Sequence, residues 1–272
     1  MVYYKTTEEI ELMRISALMV SKTLSLVGSL IKPGVTSKEI DKKAETFIRD
    51  NGGIPGFLNY GGFPATLCIS VNEAVVHGIP TDYEFKEKDI VSVDCGVIMN
   101  DFFGDSAYTF AVGDVDDDVM KLLSVTYTSL YLGIEQAVVG KRIGDIGYAI
   151  QNFCEREHGY GVVRDLIGHG VGKNLHEAPE VPNFGKRGRG AIMKDGLVIA
   201  IEPMVNMGTK VVRQLDDHWT IITKDRKPSA HYEHTVAVKK GKADILSDHG
   251  LVDDAVKKNS ALKSVPLLEV LI

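Results

Sequence analysis

The sequence predicts an α+β fold made of two similar halves, residues 1–115 and 116–240, with a tail at 241–272 that packs on them. In each half, helical patterns come before strand-like patterns. A weak repeat relates the halves at an offset of 106 residues (140 − 34): Gly34 matches Gly140, Ile40 matches Ile146, and Phe47 matches Phe153. At an offset of 108 residues (202 − 94), the apolar run that ends in Asp94 matches the run that ends in Glu202. A pseudo-twofold unit of this kind would bring acids from both halves to a central axis.

The composition is that of a globular protein. Hydrophobic residues make up 44% and charged residues 25% of the 272 residues, which excludes extensive disorder. The formal net charge of −6 argues against a protein that binds nucleic acid through phosphate contacts. The longest strictly apolar run, residues 197–201, is too short to cross a membrane, and no secretory signal is visible. Three widely spaced cysteines, Cys68, Cys95 and Cys154, favour reduced thiols in the cytoplasm.

Capping signals and apolar spacing predict the helices. Thr6 with Glu9, and Thr36 with Glu39, have the spacing of capping boxes, so we expect one helix from Thr6 to Leu30 and another after Thr36. Apolar periodicity predicts further helices at 116–139 and 143–158. Strands are expected at residues 66–71, 89–98, 102–112, 161–164, 197–201, 219–223 and 229–238. The glycine-rich and basic segment 180–190 is expected to be a loop.

Two acids are expected to face the same way from a hairpin. Asn100-Asp101 is a turn signal, and a two-residue turn would pair residues whose numbers sum to 201, so Asp94 would face Ala107. Asp105 would then lie diagonally beside Asp94 on the same face. Two adjacent carboxylates repel each other unless a cation or a proton lies between them. A solvated hairpin face is the alternative, but the apolar neighbours of both acids favour a metal.

Two glutamates and three histidines complete the candidate site. Glu202 closes a buried-looking apolar run, where an unpaired charge would be costly. Glu233, in an alternating strand, would face solvent if it were taken alone. His169 lies in a glycine-flanked turn, GHGVG at 168–172, and could be a ligand or an exposed loop residue. His77 and His176, taken alone, are more typical of hydrogen-bonded structural histidines.

Four carboxylates and one imidazole form an oxygen-rich ligand set. A single structural zinc ion prefers cysteine and histidine, so this set fits two divalent first-row ions better. Manganese, iron, cobalt and zinc are all compatible with these ligand types.

In this order and context, the five ligand positions resemble those of the methionine aminopeptidase family. The supporting segments are NEAVVHGIP (72–80), GD (104–105), GHGVG (168–172), IEPMVN (201–206) and YEHT (232–235). The resemblance implies the family's pita-bread fold, in which a central curved antiparallel sheet carries helices on its outer face. The chain looks like the short, type I form of bacteria.

The resemblance also implies a role for each residue. Asp94 would chelate one of two divalent ions, Asp105 and Glu233 would bridge both, and His169 and Glu202 would complete the second. Glu202 would act as the base on the bridging water. His77 would contact the scissile amide, and His176 would stabilise the oxyanion.

The family's methionine pocket corresponds to five residues here, although ordinary core packing is the alternative. They are Tyr60, Phe63, Cys68, Leu175 and Trp219. Two positions depart from the family pattern: Gly61 replaces a histidine, and Leu175 replaces a phenylalanine. We expect these changes to affect selectivity or rate rather than metal binding.

The expected function is removal of the initiator methionine from nascent chains in the cytoplasm, with a small second residue preferred. The expected partners are N-terminal segments of nascent polypeptides near the ribosome, with no direct nucleic-acid or membrane contact, and the family's usual state is a monomer. An Xaa-Pro aminopeptidase or prolidase of the same fold is one alternative. A peptide-binding module that has lost its metals is another, although this chain keeps all five ligand residues.

Overall fold

The computed structural model describes residues 1–269. Its helices are α1 (Thr7–Leu30), α2 (Ser37–Asp50), α3 (Asp117–Ile134), α4 (Ile143–Gln151) and α5 (Gly250–Lys258). The strands that precede α3 are β1 (Ile54–Pro55), β2 (Leu67–Val71), β3 (Ala74–Val76), β4 (Ile90–Met99) and β5 (Phe102–Val112). The later strands are β6 (Gly161–Val162), β7 (Gly168–Gly170), β8 (Glu177–Val181), β9 (Val198–Ile201), β10 (Met204–Asn206), β11 (Val212–Gln214), β12 (Ile221–Thr223), β13 (Ser229–His231), β14 (His234–Ala237), β15 (Asp244–Ile245) and β16 (Leu262–Lys263).

Both predicted capping boxes form, so the first two helices begin where expected. Thr6 Oγ1 accepts a hydrogen bond from the Glu9 amide, and the Glu9 carboxylate accepts one from the Thr6 amide. Thr36 and Glu39 make the same reciprocal pair at the start of α2. Each box satisfies donors that a helix leaves unpaired in its first turn, and a lost N-cap side chain typically costs about 1 kcal/mol.

The β4–β5 hairpin has the predicted register. Asp94 pairs with Ala107 and Gly96 pairs with Asp105 across the Asn100-Asp101 turn. Strand β2 lies along β4 and pairs Cys68 with Asp94. Asp94 and Asp105 therefore lie on adjacent strands of one antiparallel sheet, two residues apart in register, as the pairing of residues whose numbers sum to 201 predicts.

The predicted glycine turn around His169 is wrong, because these residues form a short strand. Strand β7 lies between β8 and β9, and Gly170 pairs with both Glu177 and Ile199. A Cβ atom at Gly168 or Gly170 would collide with a backbone oxygen of a neighbouring strand. The glycines therefore allow close strand packing and do not form a turn here.

The predicted continuous strand at 229–238 is also wrong. Residues 229–231 form β13 and pair with β10, whereas residues 234–237 form β14 and pair with β9. Glu233 lies in the break between these strands, where its amide donates to the carbonyl of Ala107 at 2.9 Å. Simple alternation fails across this break, and Glu233 is only 1% exposed instead of facing solvent.

Other predicted boundaries also differ from the structure. The helix predicted at 116–139 ends at Ile134, because Val138 forms a bridge with Lys239 instead of continuing the helix. The helix predicted at 143–158 is regular only to Gln151 and continues as a wider π-type turn. Residues 180–181 of the predicted loop belong to β8, and the strand predicted at 219–223 begins at Ile221.

One large apolar core joins the helices of both halves to the strands. It includes Leu24 of α1, Ile40 of α2, Leu123 of α3 and Ile146 of α4, together with Val93 and Ile199 from the sheets. A smaller cluster, with Phe63, Cys68 and Leu175, borders the cavity described below. None of the helices in residues 1–269 is long and apolar enough to cross a membrane.

The segment after residue 240 lies against the rest of the protein. Strand β15 pairs with β14, and β16 pairs with β5. Helix α5 packs on α1. The Asn259 side chain donates to the carbonyls of Gly28 and Ile31, each at 2.8 Å, and so satisfies acceptors at the end of α1. Residues 270–272 of the expected tail lie outside the described residues.

Candidate metal centre and substrate pocket

All of the predicted site residues line one cavity of about 280 Å³. They are Tyr60, Phe63, Cys68, His77, Asp94, Asp105, His169, Leu175, His176, Glu202, Trp219 and Glu233. The acids and His169 gather at one end, which we call the carboxylate end. Tyr60, Phe63, Cys68, Leu175 and Trp219, with Phe57 and Leu166 added by the fold, supply apolar and aromatic wall. His77 and His176 line the cavity as well.

Hydrogen bonds from two side-chain hydroxyls to main-chain groups hold the carboxylate end. The Thr235 hydroxyl donates to the Asp105 carbonyl at 2.7 Å and accepts from the Asp105 amide at 3.2 Å. The Ser106 hydroxyl donates to the Glu233 carbonyl at 2.6 Å. The acids from β5 and from the β13–β14 break are therefore fixed against each other through the backbone.

His169 presents one nitrogen to the acids. Its Nδ1 lies 3.0 Å from the Gly170 carbonyl, which can only accept, so the proton is on Nδ1. The Nε2 lone pair then faces the acids, 3.7 Å from Asp105 Oδ2 and 3.5 Å from Glu202 Oε1. Burial lowers the pKa of His169 to about 4, which keeps the ring neutral. A neutral imidazole oriented by a backbone carbonyl is a typical metal ligand.

The buried acids carry oxygens that lack protein partners. Among the described residues, Asp94 Oδ1, Asp105 Oδ1 and Glu233 Oε1 have no hydrogen-bond partner. Ligand atoms of Asp105, His169 and Glu233 all lie within 4.8 Å of one another. Uncompensated buried carboxylates are very costly, whereas divalent cations would satisfy these oxygens. The donor set therefore fits bound divalent metal ions.

The pKa values of the acids rise for the same reason. Burial raises the pKa of Asp94 to about 7 and that of Glu202 to about 8. Burial, reinforced by the neighbouring acids, also raises the pKa values of Asp105 and Glu233 well above the usual range. Without a cation, the cluster would retain protons at neutral pH.

His77 and His176 approach the cavity from different loops. His77 has a φ of 58°, a left-handed conformation that is uncommon outside glycine and costs energy. Burial lowers its pKa to about 4, so its ring is neutral. The Nδ1 atom of His176 lies 3.0 Å from the Tyr60 hydroxyl oxygen. The His176 ring packs edge-on against the His169 ring, with centroids 4.3 Å apart.

Aromatic and aliphatic side chains form the other end of the cavity. Phe63 and Trp219 meet edge-to-face at 5.1 Å, and Leu175 is buried. Trp219 lies just before β12, where the Asp217 carboxylate accepts from the Trp219 and Thr220 amides. The prediction that Trp219 lies within a strand is therefore wrong, although Trp219 lines the cavity as expected.

Sequence reasoning missed His231. This residue is 1% exposed, and its Nε2 lies 3.5 Å from Glu202 Oε2. Its position two residues before Glu233 could have suggested it, because an alternating strand puts both residues on one face, but that face was expected to meet solvent. Burial lowers the pKa of His231, whereas nearby Asp94 acts in the opposite direction.

Comparison with known proteins gives the family. A model described as metallopeptidase family M24 matches residues 11–240, so the chain belongs to this family. A methionine aminopeptidase of Clostridium acetobutylicum is 48% identical over 248 residues, which cover 91% of this chain and 99% of the relative. Methionine aminopeptidase 1 of Bacillus subtilis is 46% identical, again over 91% of this chain and 99% of its own length.

Solved structures agree with the sequence relatives. The crystal structure of methionine aminopeptidase from Rickettsia prowazekii matches with a TM-score of 0.89 at 38% identity. The match covers 91% of this chain and 100% of that chain. The prolidase of Pyrococcus horikoshii has a TM-score of 0.72 at 21% identity and is matched over 63% of its length, so it shares the fold alone. The predicted pita-bread fold and the predicted metalloaminopeptidase class are confirmed, and the methionine enzymes are favoured over the Xaa-Pro alternative.

Proposed function

We propose that this protein removes N-terminal methionine from peptides by hydrolysis that depends on two divalent cations. One observation carries the proposal: buried acids with unpartnered oxygens and the free nitrogen of His169 meet at one end of a cavity whose other end is apolar. Such a site can bind a charged, hydrated reaction centre and a flexible thioether side chain together.

The ligand assignment follows the expected roles. Asp94 would hold one cation, Asp105 and Glu233 would bridge both, and His169 and Glu202 would complete the second. Cobalt, manganese, iron and zinc all suit oxygen ligands with one imidazole. When bound, such cations supply Lewis-acid polarisation and lower the pKa of water.

The protein's own groups then handle protons and hydrogen bonds. Glu202 would accept the proton of the attacking water, because bound cations would compensate the buried acids and keep its carboxylate ionised. The neutral His77 ring would form a hydrogen bond with the scissile amide of the substrate. His176, oriented by Tyr60, would donate to the oxyanion that develops on the first peptide carbonyl.

The apolar end would bind the methionine side chain. Phe63, Cys68 and Trp219 offer aromatic and sulfur contacts that favour a thioether. Register places Cys68 opposite Asp94, so the side-chain pocket adjoins the carboxylate end. The preference for a small second residue is carried over from the family.

The biological setting belongs to the same proposal. The substrates would be N-terminal segments of nascent polypeptides near the ribosome in the cytoplasm, and the protein would act as a monomer without direct contact with nucleic acid.

The deciding experiment combines metal analysis with two substrates. The metal-free protein is titrated with Mn²⁺, Co²⁺ and Fe²⁺, the metal bound per chain is measured, and Met-Ala-Ser and an Xaa-Pro dipeptide are assayed at each point. We expect two ions per chain and cleavage of Met-Ala-Ser. Cleavage of only the Xaa-Pro dipeptide would support a prolidase. Inactivity with every metal, together with tight peptide binding, would support a non-catalytic module.

A further inference from the structure

The segment that follows β15, residues 246–259, reaches the back of the carboxylate end. It lies beyond residue 240, where the match to the family model ends. The Leu246 amide donates to the Thr235 carbonyl at 2.9 Å. Ser247 and His249 are buried, and each contacts a residue adjacent to a proposed metal ligand. We call residues 246–259 the C-terminal segment.

His249 is hydrogen-bonded to Ser106, the neighbour of Asp105. The Ser106 hydroxyl has one hydrogen, which it donates to the Glu233 carbonyl at 2.6 Å. The His249 Nε2, 3.1 Å from Ser106 Oγ, must therefore be the donor in the second bond. The result is a relay from the His249 ring through Ser106 to the backbone of Glu233.

The His249 ring is held firmly in this position. It is 2% exposed and packs on the His234 ring with centroids 3.7 Å apart. Tyr108 meets it edge-on at 5.3 Å, and the Tyr108 hydroxyl donates to Asp253 of the same C-terminal segment at 2.7 Å. Ser247 Oγ lies 2.7 Å from Nδ1 of His234, the residue after Glu233.

We propose that His249 is a positioning residue that aligns the carboxylates of Asp105 and Glu233 for metal binding. Glu233 lies in the break between β13 and β14, so a side-chain bond from Ser106 fixes its carbonyl. His249 holds the Ser106 hydroxyl in the rotamer that makes this bond. Groups that orient metal ligands from behind typically change metal affinity by about 10- to 100-fold when they are removed. This inference rests on the proposed metal site.

Two substitutions of His249 in the full chain separate positioning from packing. His249→Leu fills the same space with an apolar side chain but removes the donor. We therefore expect Mn²⁺ affinity, measured by calorimetry on metal-free protein, to fall about tenfold or more. His249→Gln can place an amide N–H near Ser106 and should retain affinity within about threefold of the unmodified protein.

Asn259→Ala is the matched control in the same segment. It removes the hydrogen bonds to the end of α1 without touching Ser106, so it should lower the melting temperature and leave Mn²⁺ affinity unchanged. If His249→Leu also lowers only the melting temperature, His249 is merely structural and the proposal is overturned.

Ser106→Ala removes the second side chain of the relay. This test remains valid even if the His249→Leu variant does not fold. It should weaken Mn²⁺ binding to a similar degree, and the double variant should be no weaker than the worse single variant. Fully additive losses would overturn the relay. Failure of the unmodified chain to bind Mn²⁺ would instead refute the proposed metal function, so the two ideas fail differently.

Discussion

The two ends of the cavity are built by different means. At the carboxylate end, Asp94 and Asp105 start from paired strands. The hydroxyls of Thr235 and Ser106 donate hydrogen bonds to the main-chain carbonyls of Asp105 and Glu233, and so fix β5 against the β13–β14 break. At the apolar end, Tyr60 begins a one-turn 3-10 helix and Trp219 lies in a loop before β12. Trp219 meets Phe63 through an edge-to-face ring contact, and within the described part of the chain the one side-chain hydrogen bond of Tyr60 is to His176. The carboxylate end is fixed mainly by hydrogen-bond geometry, and the apolar end mainly by packing.

This difference implies different responses to mutation. A cation site needs ligand atoms within a few tenths of an ångström, so loss of one ligand should be nearly all-or-none. A pocket filled by dispersion contacts can lose or gain a few atoms for a graded cost. The predictions below test this contrast.

The largest effect is expected for the bridging acids. Asp105→Ala and Glu233→Ala should each lower the metal content and reduce turnover of Met-Ala-Ser by more than about a hundredfold, because each removes ligand oxygens and leaves the other acids uncompensated. Metal bound per chain and kcat are measured together. Asp82→Ala, at an exposed acid with only a surface ion pair, is the control. Wild-type-like metal content and activity in either ligand variant would contradict the bridging roles.

The next effect separates proton and hydrogen-bond chemistry from metal binding. His77→Ala should lower kcat by about 10²–10³-fold with metal content unchanged, because the imidazole lines the cavity and is not one of the five proposed ligands. His77 adopts a positive φ, so His77→Gly controls for backbone strain. Both variants should lose activity equally. Loss of metal in both would mean that His77 belongs to the ligand set.

Sequence reasoning was reliable where local geometry decides position. A two-residue turn determined the pairing of Asp94 with Ala107, and that pairing placed Asp105 beside Asp94. It failed for Glu233, because the exchange of strand partners at this residue depends on β9 and β10, which are distant in sequence. His231 was missed for the same reason. The relay through His249 could not be predicted, because it depends on how the C-terminal segment packs against α1 and β5.

Removal of metal should make stability depend on pH in a distinctive direction. In the metal-free protein, Asp94 has a pKa of about 7 and Glu202 of about 8, above their ordinary values of 3.8 and 4.5. Below about pH 6.5 the buried histidines oppose the acids, because burial lowers the pKa values of the histidines and the unfolded state then binds more protons at them. Above about pH 7 these histidines are largely neutral in both states, whereas the acids still bind more protons in the folded state, so the free energy of unfolding falls as pH rises. We expect the melting temperature of metal-free protein to drop from about pH 7 to about pH 9, and Mn²⁺ to reverse the drop.

The control for this profile is Glu202→Gln, which removes one of the titrating acids. Its metal-free melting temperature should depend less steeply on pH. A flat profile in the unmodified metal-free protein would show that the acids are already compensated by other groups.

The smallest effect is expected at the apolar end. Leu175 is 3% exposed and lines the cavity at a position where the family often has phenylalanine. Leu175→Phe adds aromatic contact area for a thioether, worth about 0.5–1.5 kcal/mol, so the KM for Met-Ala-Ser should fall by a factor of about 2–10 with kcat and metal content unchanged. Leu251→Phe, on exposed surface, is the control and should change nothing. Because the carboxylate end is fixed through the backbone, a ring added at the apolar end should not disturb it. A fall in metal content in Leu175→Phe would show instead that the two ends are mechanically coupled.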